Sequence, residues 1–275
     1  MRGIVTVALS ELRIGLRNRW VLMATLLLAA LSLALAFLGA APGGTIDAGQ
    51  LTVTTVGLAS LATYLIPLIA LLLAYDAIVG ELDRGTLLLL LSYPLARHEI
   101  VLGKFLGQVT VVAIATVLGF GAAVLAVAAT GEIRAGELLL FWRLVGSSVL
   151  LGAAFVGLGH LVSCLVRDRN TAAGLAIGIW LFLVLLFDMG LLGALVADDG
   201  GLFSKRVFPW LLIANPADAY RLFNLSGLPS IEQLSGMAGL AKAAKPAPAL
   251  LLLSIAAWIL LPLALTAARF QRREP

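Results

Sequence analysis

Long apolar runs separated by short polar segments dominate the pattern of this chain. Six of the runs are long enough to cross a bilayer, since one transmembrane helix takes roughly 20 residues. They predict spans at about residues 20–41, 53–75, 105–129, 142–165, 171–196 and 248–268. Pro42 and two glycines end the first run, and the polar stretch 167–170 predicts a tight turn between the fourth and fifth spans. We therefore predict an all-α polytopic membrane protein with one transmembrane domain.

The composition agrees with that class. Hydrophobic residues make up 61% of the 275 residues and charged residues only 12%, whereas soluble domains carry about 25% charged residues. The net charge of +4 comes without any basic cluster interleaved with aromatics, so it predicts no nucleic-acid partner. It is better explained by membrane topology and by contact with anionic lipids. The single cysteine, Cys164, excludes a disulfide within the chain.

Residues 1–19 precede the first span and have an amphipathic helical pattern. The apolar face holds Val5, Leu9, Leu12 and Leu16, and the polar face holds Thr6, Ser10, Arg13 and Arg17. This pattern predicts a basic helix that lies in the membrane interface. A loose cytosolic tail is the alternative.

The distribution of Lys and Arg predicts the orientation. With the N-terminus inside, 12 of the 19 basic residues fall in inner segments and 7 in outer segments. The positive-inside rule therefore predicts that both termini are cytoplasmic.

The outer segment 197–247 is long and is not of low complexity. Asn215-Pro216 is typical of a helix start and predicts a short helix over 217–225, and Ser230 with the following acidic and amide residues predicts another one ending near Lys245. Long ordered loops are usually functional. The alternative is a lid that only packs on the helix ends.

No nucleotide site is predicted. The only Gly-Lys pair is Gly103-Lys104, and the positions that a phosphate-binding loop reserves for Gly and for Ser or Thr hold His98 and Phe105. If ATP is used, a partner must bind it. The chain is therefore predicted to be neither an enzyme nor a cofactor-binding protein.

Three features inside the spans are candidates for chemistry or packing. His160 and Cys164 share a helix face but have no further soft ligand nearby in sequence, so no metal site is predicted. Asp188 is an acid at membrane depth and a functional candidate on that ground, with an interfacial position as the alternative. Gly174 and Gly178 form a Gly-x-x-x-Gly pair, which predicts a close helix contact within or between subunits.

Segment 76–104 is the richest polar stretch on the inner side. Glu81 and Arg84 are followed by Gly85-Thr86, a leucine run and then Pro94. The run 87–91 is too short to span, and it suits a helix at the membrane surface whose ends remain tied to two spans. Gly85 would permit a tight bend, and Pro94 would fix the turn. A push on such an element must move the attached spans, so it is a candidate coupling element; an interfacial loop without a partner is the alternative.

These residues carry a family resemblance. Glu81, Gly85-Thr86, the leucine run, Ser92, Pro94, Arg97 and Gly103-Lys104 together resemble the signature of permeases in the second class of ABC exporters. The resemblance implies a cytosolic ATPase that carries ATP and Mg²⁺, a second copy of the chain, and a bacterial inner-membrane location. It also implies that coupling to the ATPase involves Glu81, Arg84, Gly85, Thr86, Pro94, Arg97, Gly103 and Lys104. In this set Glu81 and Arg84 would contact or orient the ATPase, and Arg97 and Lys104 would anchor the segment at the membrane interface.

The outer segment carries a narrower resemblance. Its residues Pro209, Asn215, Pro216, Tyr220 and Arg221 lie in a stretch that resembles the permeases of the copper-processing system for nitrous oxide reductase maturation in denitrification. That resemblance implies a NosF-like cytosolic ATPase and a NosD-like periplasmic copper-handling protein, which those residues would dock. Since the spans offer few Cys, Met or His ligands, we favour force transmission over copper conduction.

Two other functions remain open at this stage. One is an ABC exporter of a lipid or another amphiphile, and the other is an ion-coupled transporter that uses Asp188. A scaffold that only anchors a periplasmic protein is a third and simpler possibility.

Overall fold

The computed structural model describes residues 2–39, 49–87, 92–93, 95–130, 133–198, 201–226 and 246–272. Within these ranges the chain forms helices and turns and no strand. The helices are α1 Arg2–Arg17, α2 Arg19–Gly39, α3 Gln50–Ala74, α4 Val79–Asp83, α5 Arg97–Thr130, α6 Ala135–Leu165, α7 Arg169–Leu181, α8 Phe187–Asp198, α9 Phe208–Ala214, α10 Pro216–Leu225 and α11 Pro248–Gln271. A π-helical turn, Phe182–Leu186, joins α7 to α8, and a second one, Phe203–Val207, leads into α9.

The prediction of an all-α protein with six spans is confirmed. Six helical stretches among the described residues are long and apolar enough to cross a membrane: α2, α3 with α4, α5, α6, α7 with α8, and α11. The fourth span starts earlier than predicted, at Ala135 instead of 142. The reason is Glu137, which accepts hydrogen bonds from the backbone N–H of Arg134 and the hydroxyl of Thr52 and so begins the helix about two turns ahead of the predicted span.

The predicted turn between the fourth and fifth spans is also present. Helix α6 ends at Leu165 and α7 begins at Arg169. Asp168 caps α7 by accepting a hydrogen bond of 2.8 Å from the backbone N–H of Thr171. The hydrogen bonds from Thr171 hold the pKa of this exposed carboxyl below its usual value.

Helix α6 is the centre of the bundle. It packs against α3, α5 and α11, and it is the most buried of the six spans. Leu144, Leu151 and Phe155 on this helix are fully buried. Because an even number of spans returns the chain to its starting side, α1 and the end of α11 share one side, here called the terminal side. The other side, which carries α9 and α10, is called the distal side.

Helix α1 packs closely along the start of α5. A Cβ atom at Gly103 would lie 2.6 Å from the Cβ of Val7 and 2.9 Å from the carbonyl oxygen of Ile4, and one at Gly107 would lie 2.7 Å from the carbonyl oxygen of Ala8. Because Gly103 has no side chain, the backbone of α1 can approach α5 closely at this position. Several apolar side chains of α1 point away from the bundle, among them Val5, Leu9 and Leu16, which suits the interfacial position predicted for this helix.

The glycine pair on the fifth span is open on its outer face. A Cβ atom at Gly174 or Gly178 would meet no atom of the described residues within 4 Å. The close helix contact predicted for this pair is therefore not made with the described part of the chain, and a contact with a second copy stays a prediction. The leucines at 88–91, Pro94 and the short helix predicted over 230–245 lie outside the described residues.

Replacing Gly103 with Ala should destabilise the packing of α1 on α5. The added methyl group must displace the backbone of α1, and overpacking of this kind costs about 1–3 kcal/mol, more than the about 0.8–1.0 kcal/mol that Ala gains over Gly in a helix. Thermal unfolding in detergent would show a lower midpoint for G103A. The matched control is G121A, on the same helix, where a Cβ meets no described atom within 4 Å and the midpoint should stay or rise. Equal midpoints for the two variants would contradict the close packing.

Candidate coupling site

The candidate site is built where α4 turns back onto the bundle at the terminal side. The backbone N–H groups of Ile78 and Val79, at the start of α4, donate to the hydroxyl oxygen of Ser163 at 2.9 and 3.0 Å. The first N–H groups of a helix have no partner within the helix, so a side chain of α6 supplies the acceptor. These two hydrogen bonds fix the start of α4 to the central helix, α6.

Lys104 of α5 is the centre of the site. It is 2% exposed, and its Nζ lies 2.5 Å from Glu11 Oε1 of α1 and 2.7 Å from Glu81 Oε1 of α4. A buried ammonium needs such partners, because moving it out of water without them is very costly. One side chain therefore ties α1, α4 and α5 together. Two carboxylates of the protein enclose Lys104, and the anchoring of the segment at the membrane interface stays a prediction.

The polar network continues into the bundle through Gln108 and His160. The amide Nε2 of Gln108 donates to Glu11 Oε2 at 3.4 Å, and its Oε1 lies 2.9 Å from His160 Nε2. Since this amide oxygen can only accept, His160 Nε2 must carry the proton. Its Nδ1 is then an acceptor, and it is buried without a hydrogen bond from any described residue. The network thereby extends from α1 and α4 to α6.

The predicted pair His160 and Cys164 does not form a joint site. His160 faces Gln108, whereas the sulfur of Cys164 faces the carbonyl oxygen of Thr266 at 4.0 Å. The two side chains therefore serve different helix contacts, α5 for the histidine and α11 for the cysteine.

The far end of α4 is held by Asp76. Its Oδ2 lies 3.4 Å from Arg84 Nη1 and 3.1 Å from Arg169 Nη2. Both guanidinium groups are more than half exposed, so each pair contributes little to stability. These pairs nevertheless bring Arg84 and Arg169, the first residue of α7, to the same carboxylate, that of Asp76.

The bend predicted at Gly85 is present. Its φ is +71°, a conformation that glycine adopts without strain. The hydroxyl of Thr86 donates to the carbonyl oxygen of Glu81 at 3.2 Å, which closes the turn after α4. Leu87 follows and is buried, so the start of the leucine run packs into the protein.

Arg97 lies in a different part of the terminal side. Its Nη1 donates to the carbonyl oxygens of Phe270 and Gln271 at 3.0 and 3.1 Å. The last carbonyl groups of a helix have no partner within the helix, so Arg97 secures the end of α11 to the start of α5. Segment 76–104 is therefore attached to five helices: α1, α5, α6, α7 and α11.

The residues that complete the site were not predicted from the sequence. Glu11 pairs with Lys104, and Asp76 pairs with Arg84. Ser163 holds the start of α4, and Gln108 bonds to Glu11. One signal was available: Glu11 is the only acidic residue in the otherwise basic stretch 1–19. Its partner could not be read from the sequence, because Lys104 lies 93 positions away.

The predicted docking residues of the distal segment are mostly buried. Asn215 caps α10 through the backbone N–H of Ala217 and donates to the carbonyl oxygen of Leu183 at 2.7 Å. Tyr220 is fully buried and shares a hydrogen bond of 2.8 Å with Ser148 of α6. Asn215, Pro216 and Tyr220 thus offer no surface to a partner in this conformation; they hold α10 on the bundle. Pro209 is partly exposed, and Arg221 pairs with Asp188 and Asp218.

Comparisons with known proteins support one family. The profile of the ABC-2 family transporter proteins matches residues 5–274. A protein of Pseudomonas aeruginosa named as a probable ABC transporter permease protein NosY is 49% identical over 98% of both chains. A protein of Stutzerimonas stutzeri with the same name is 47% identical over 99% of both chains. The family resemblance predicted from segment 76–104 is therefore confirmed.

Replacing Lys104 with Met should destabilise the protein strongly. Glu11 and Glu81 would be left as partly buried carboxylates without their cation, and breaking a buried pair in this way typically costs about 3–5 kcal/mol. The yield of monodisperse protein and its thermal midpoint in detergent measure the effect.

The triple variant K104M/E11Q/E81Q should recover most of that loss, because it removes all three charges together. R13M is the control for losing an exposed cation of α1 and should change stability by less than about 0.5 kcal/mol. A triple variant no better than K104M would contradict the view that uncompensated charge is the cause.

Proposed function

The chain belongs to the ABC-2 family of transporter proteins, and from this premise we propose that it is the permease subunit through which a separate ATPase drives a partner protein on the distal side. The observation that carries the proposal is the position of Lys104. It joins α4 to α1 and α5 at once, so displacement of segment 76–104 must move the attached helices. An element of this kind meets the physical requirement for coupling two sites.

The ATPase would bind at the terminal side. Arg84 is more than half exposed, so its guanidinium group offers donors to the ATPase. Glu81 is 19% exposed and its Oε2 is buried, so it would act by orienting α4 through Lys104. Gly85 and Thr86 shape the turn that follows Arg84. ATP and Mg²⁺ stay on the ATPase in this proposal, and Arg97, Gly103 and Lys104 act by holding the segment on the bundle.

Helix α6 would carry the movement across the membrane. Ser163 at its terminal end binds α4, while Ser147 and Ser148 near its distal end bind Asn224 and Tyr220 of α10. About 15 residues separate the two contact points, or about 22 Å along the helix axis. A rigid, buried helix with fixed contacts at both ends transmits a shift without any change in its own structure.

The partner on the distal side would be a copper-handling protein. The two relatives named NosY cover nearly the whole chain, and the copper-processing resemblance of the distal segment supports a role in maturation of nitrous oxide reductase. A NosF-like ATPase and a NosD-like periplasmic protein complete this assembly. Pro209 is partly exposed and the neighbouring Trp210 is exposed, so both are accessible for docking.

The proposal also includes the orientation of the chain in the membrane and its assembly as a homodimer. The terminal side faces the cytoplasm of a bacterium, where the ATPase binds, and the distal side faces the periplasm across the inner membrane. Two copies of the chain serve two ATPase subunits. The face with Gly174 and Gly178 is the proposed contact with the second copy, because no described residue of the same chain covers it.

Replacing Glu81 with Ala should uncouple the two sides while leaving the protein in the membrane. Lys104 keeps Glu11 as its partner in E81A, so the fold is retained. We expect near-normal amounts of the membrane complex, a loss of at least about tenfold in the copper-dependent maturation of nitrous oxide reductase, and ATP hydrolysis that no longer responds to the distal partner; tenfold in rate corresponds to about 1.4 kcal/mol of coupling.

The matched control is D83A, which removes an exposed carboxylate from the same helix. It should mature the reductase at the wild-type level. Normal maturation by E81A, with the complex intact, would refute the role of Glu81 in coupling.

A further inference from the structure

A cluster of charged side chains lies on the distal side, far from the coupling site. Arg221 of α10 places Nη2 2.9 Å from Asp188 Oδ2 of α8 and Nη1 3.2 Å from Asp218 Oδ1 of its own helix. Two carboxylates thus share one guanidinium group. If both carboxylates were ionised, the cluster would carry a net charge of −1.

That extra charge is poorly solvated. Asp218 is 1% exposed, and its Oδ2 is buried without a hydrogen bond from any described residue. A buried carboxylate oxygen without a donor is costly in its ionised form, and such a group usually takes up a proton instead. Asp218 lies in the first turn of α10, where the helix dipole favours an anion, but that effect is smaller than the cost of burial.

No second cation of the described residues neutralises the cluster. Of the titratable groups on the elements packed against α10, Asp188 of α8 and Tyr64 of α3 act on the cluster. On α6, Glu137 accepts from Arg134 and Thr52, His160 bonds to Gln108, and Cys164 faces Thr266. Arg143 is bonded to the other end of α10, at the carbonyl oxygen of Phe223 and the hydroxyl of Ser226. The distal half of α11, helix α9 and the π-helical turn Phe182–Leu186 hold no titratable side chain.

We infer that Asp218 is a proton-binding site, and that the distal segment packs on the bundle with one proton held between Asp218 and Asp188. The proton neutralises the excess charge of the cluster while α10 is in place. When α10 moves away from the bundle and water reaches Asp218, the proton is released to the aqueous phase. The inference needs neither an ATPase nor copper, so it stands or falls separately from the proposed function.

The electrostatics of the folded chain agree with this assignment. Burial, together with the charge on Asp188, raises the pKa of Asp218 to about 8, although Arg221 acts in the opposite direction. The ordinary value is 3.8. Between about pH 4 and about pH 8, the folded protein therefore holds one more proton than the unfolded chain. The free energy of unfolding should fall as pH rises through this window and should level off above it.

The test is the pH dependence of stability in the full-length protein, purified in detergent. Chemical or thermal unfolding of the wild type and of D218N would be compared from about pH 5 to about pH 9. Asn is neutral at every pH, so the ratio of the unfolding constants, wild type over D218N, should rise by up to about tenfold per pH unit below pH 8. Parallel pH profiles for the two proteins would overturn the inference.

D198N is the matched control for a carboxylate of the distal side. Asp198 Oδ2 accepts hydrogen bonds of 2.8 Å from the backbone N–H and from the hydroxyl of Ser204, and these donors favour the ionised form of the carboxyl group. Its pH profile should run parallel to that of the wild type. A profile for D198N that matches D218N instead would mean that any lost carboxylate gives the effect, and it would overturn the assignment to Asp218.

Infrared spectroscopy gives a second readout if D218N fails to fold. The wild type should show the C=O band of a protonated carboxyl group at about pH 6 that disappears by about pH 9. In D188N the midpoint of this titration should shift to lower pH, because the neighbouring negative charge is gone. Absence of the band, or a stability that follows the concentration of Na⁺ or K⁺ at fixed pH with no pH slope, would show that the site holds no proton.

Discussion

The terminal side of the protein depends on one buried cation. Lys104 brings a positive charge into the protein, where the residue is only 2% exposed. Two carboxylates from separate helices compensate this charge. An ion pair of this kind adds little net stability compared with apolar packing, but it penalises every arrangement that separates the partners. The geometry of α1, α4 and α5 is therefore specified more sharply than hydrophobic contact alone would specify it. Close backbone contact at Gly103, next to the lysine, reinforces the same arrangement.

The distal side uses the same principle with the charges placed differently. There, too, one cation, Arg221, serves two carboxylates and ties a helix that does not span the membrane to one that does. In both clusters one carboxylate oxygen lacks a donor among the described residues, Glu81 Oε2 on one side and Asp218 Oδ2 on the other. Each end of the bundle thus holds an element whose packing is sensitive to the charge around it. Between the ends lies the apolar core around α6, which has no comparable freedom.

The sequence was sufficient for the fold and for the position of segment 76–104 between the second and third spans, but not for the contacts of that segment. Apolar runs and charge spacing predicted six spans, because the cost of exposing backbone and charge to lipid leaves few alternatives. A tight bend at Gly85 was predicted, and the φ of this residue is positive. The burial of Lys104 was not predicted, since its two partners are distant in the sequence and hydropathy places a lysine at the membrane surface by default. The same applies to Tyr220, whose hydroxyl finds Ser148 only after α10 folds back onto α6.

The proposed function has the chain transmit force to a partner, and this proposal does not require copper to pass through the bundle. Met23 and Met189 are 60% and 68% exposed, so they lie on the outer surface of the bundle. Cys164 and His160 both lie near the terminal end of α6 and face different helices. Copper conduction needs a succession of soft donors along one path, and the described residues provide none across the core. Helix α6 crosses the core. It is bonded to α4 through Ser163 at one end and to α10 through Ser148 at the other. Under the proposed function, a helix bonded at both ends transmits displacement to a partner that is bound at the distal segment.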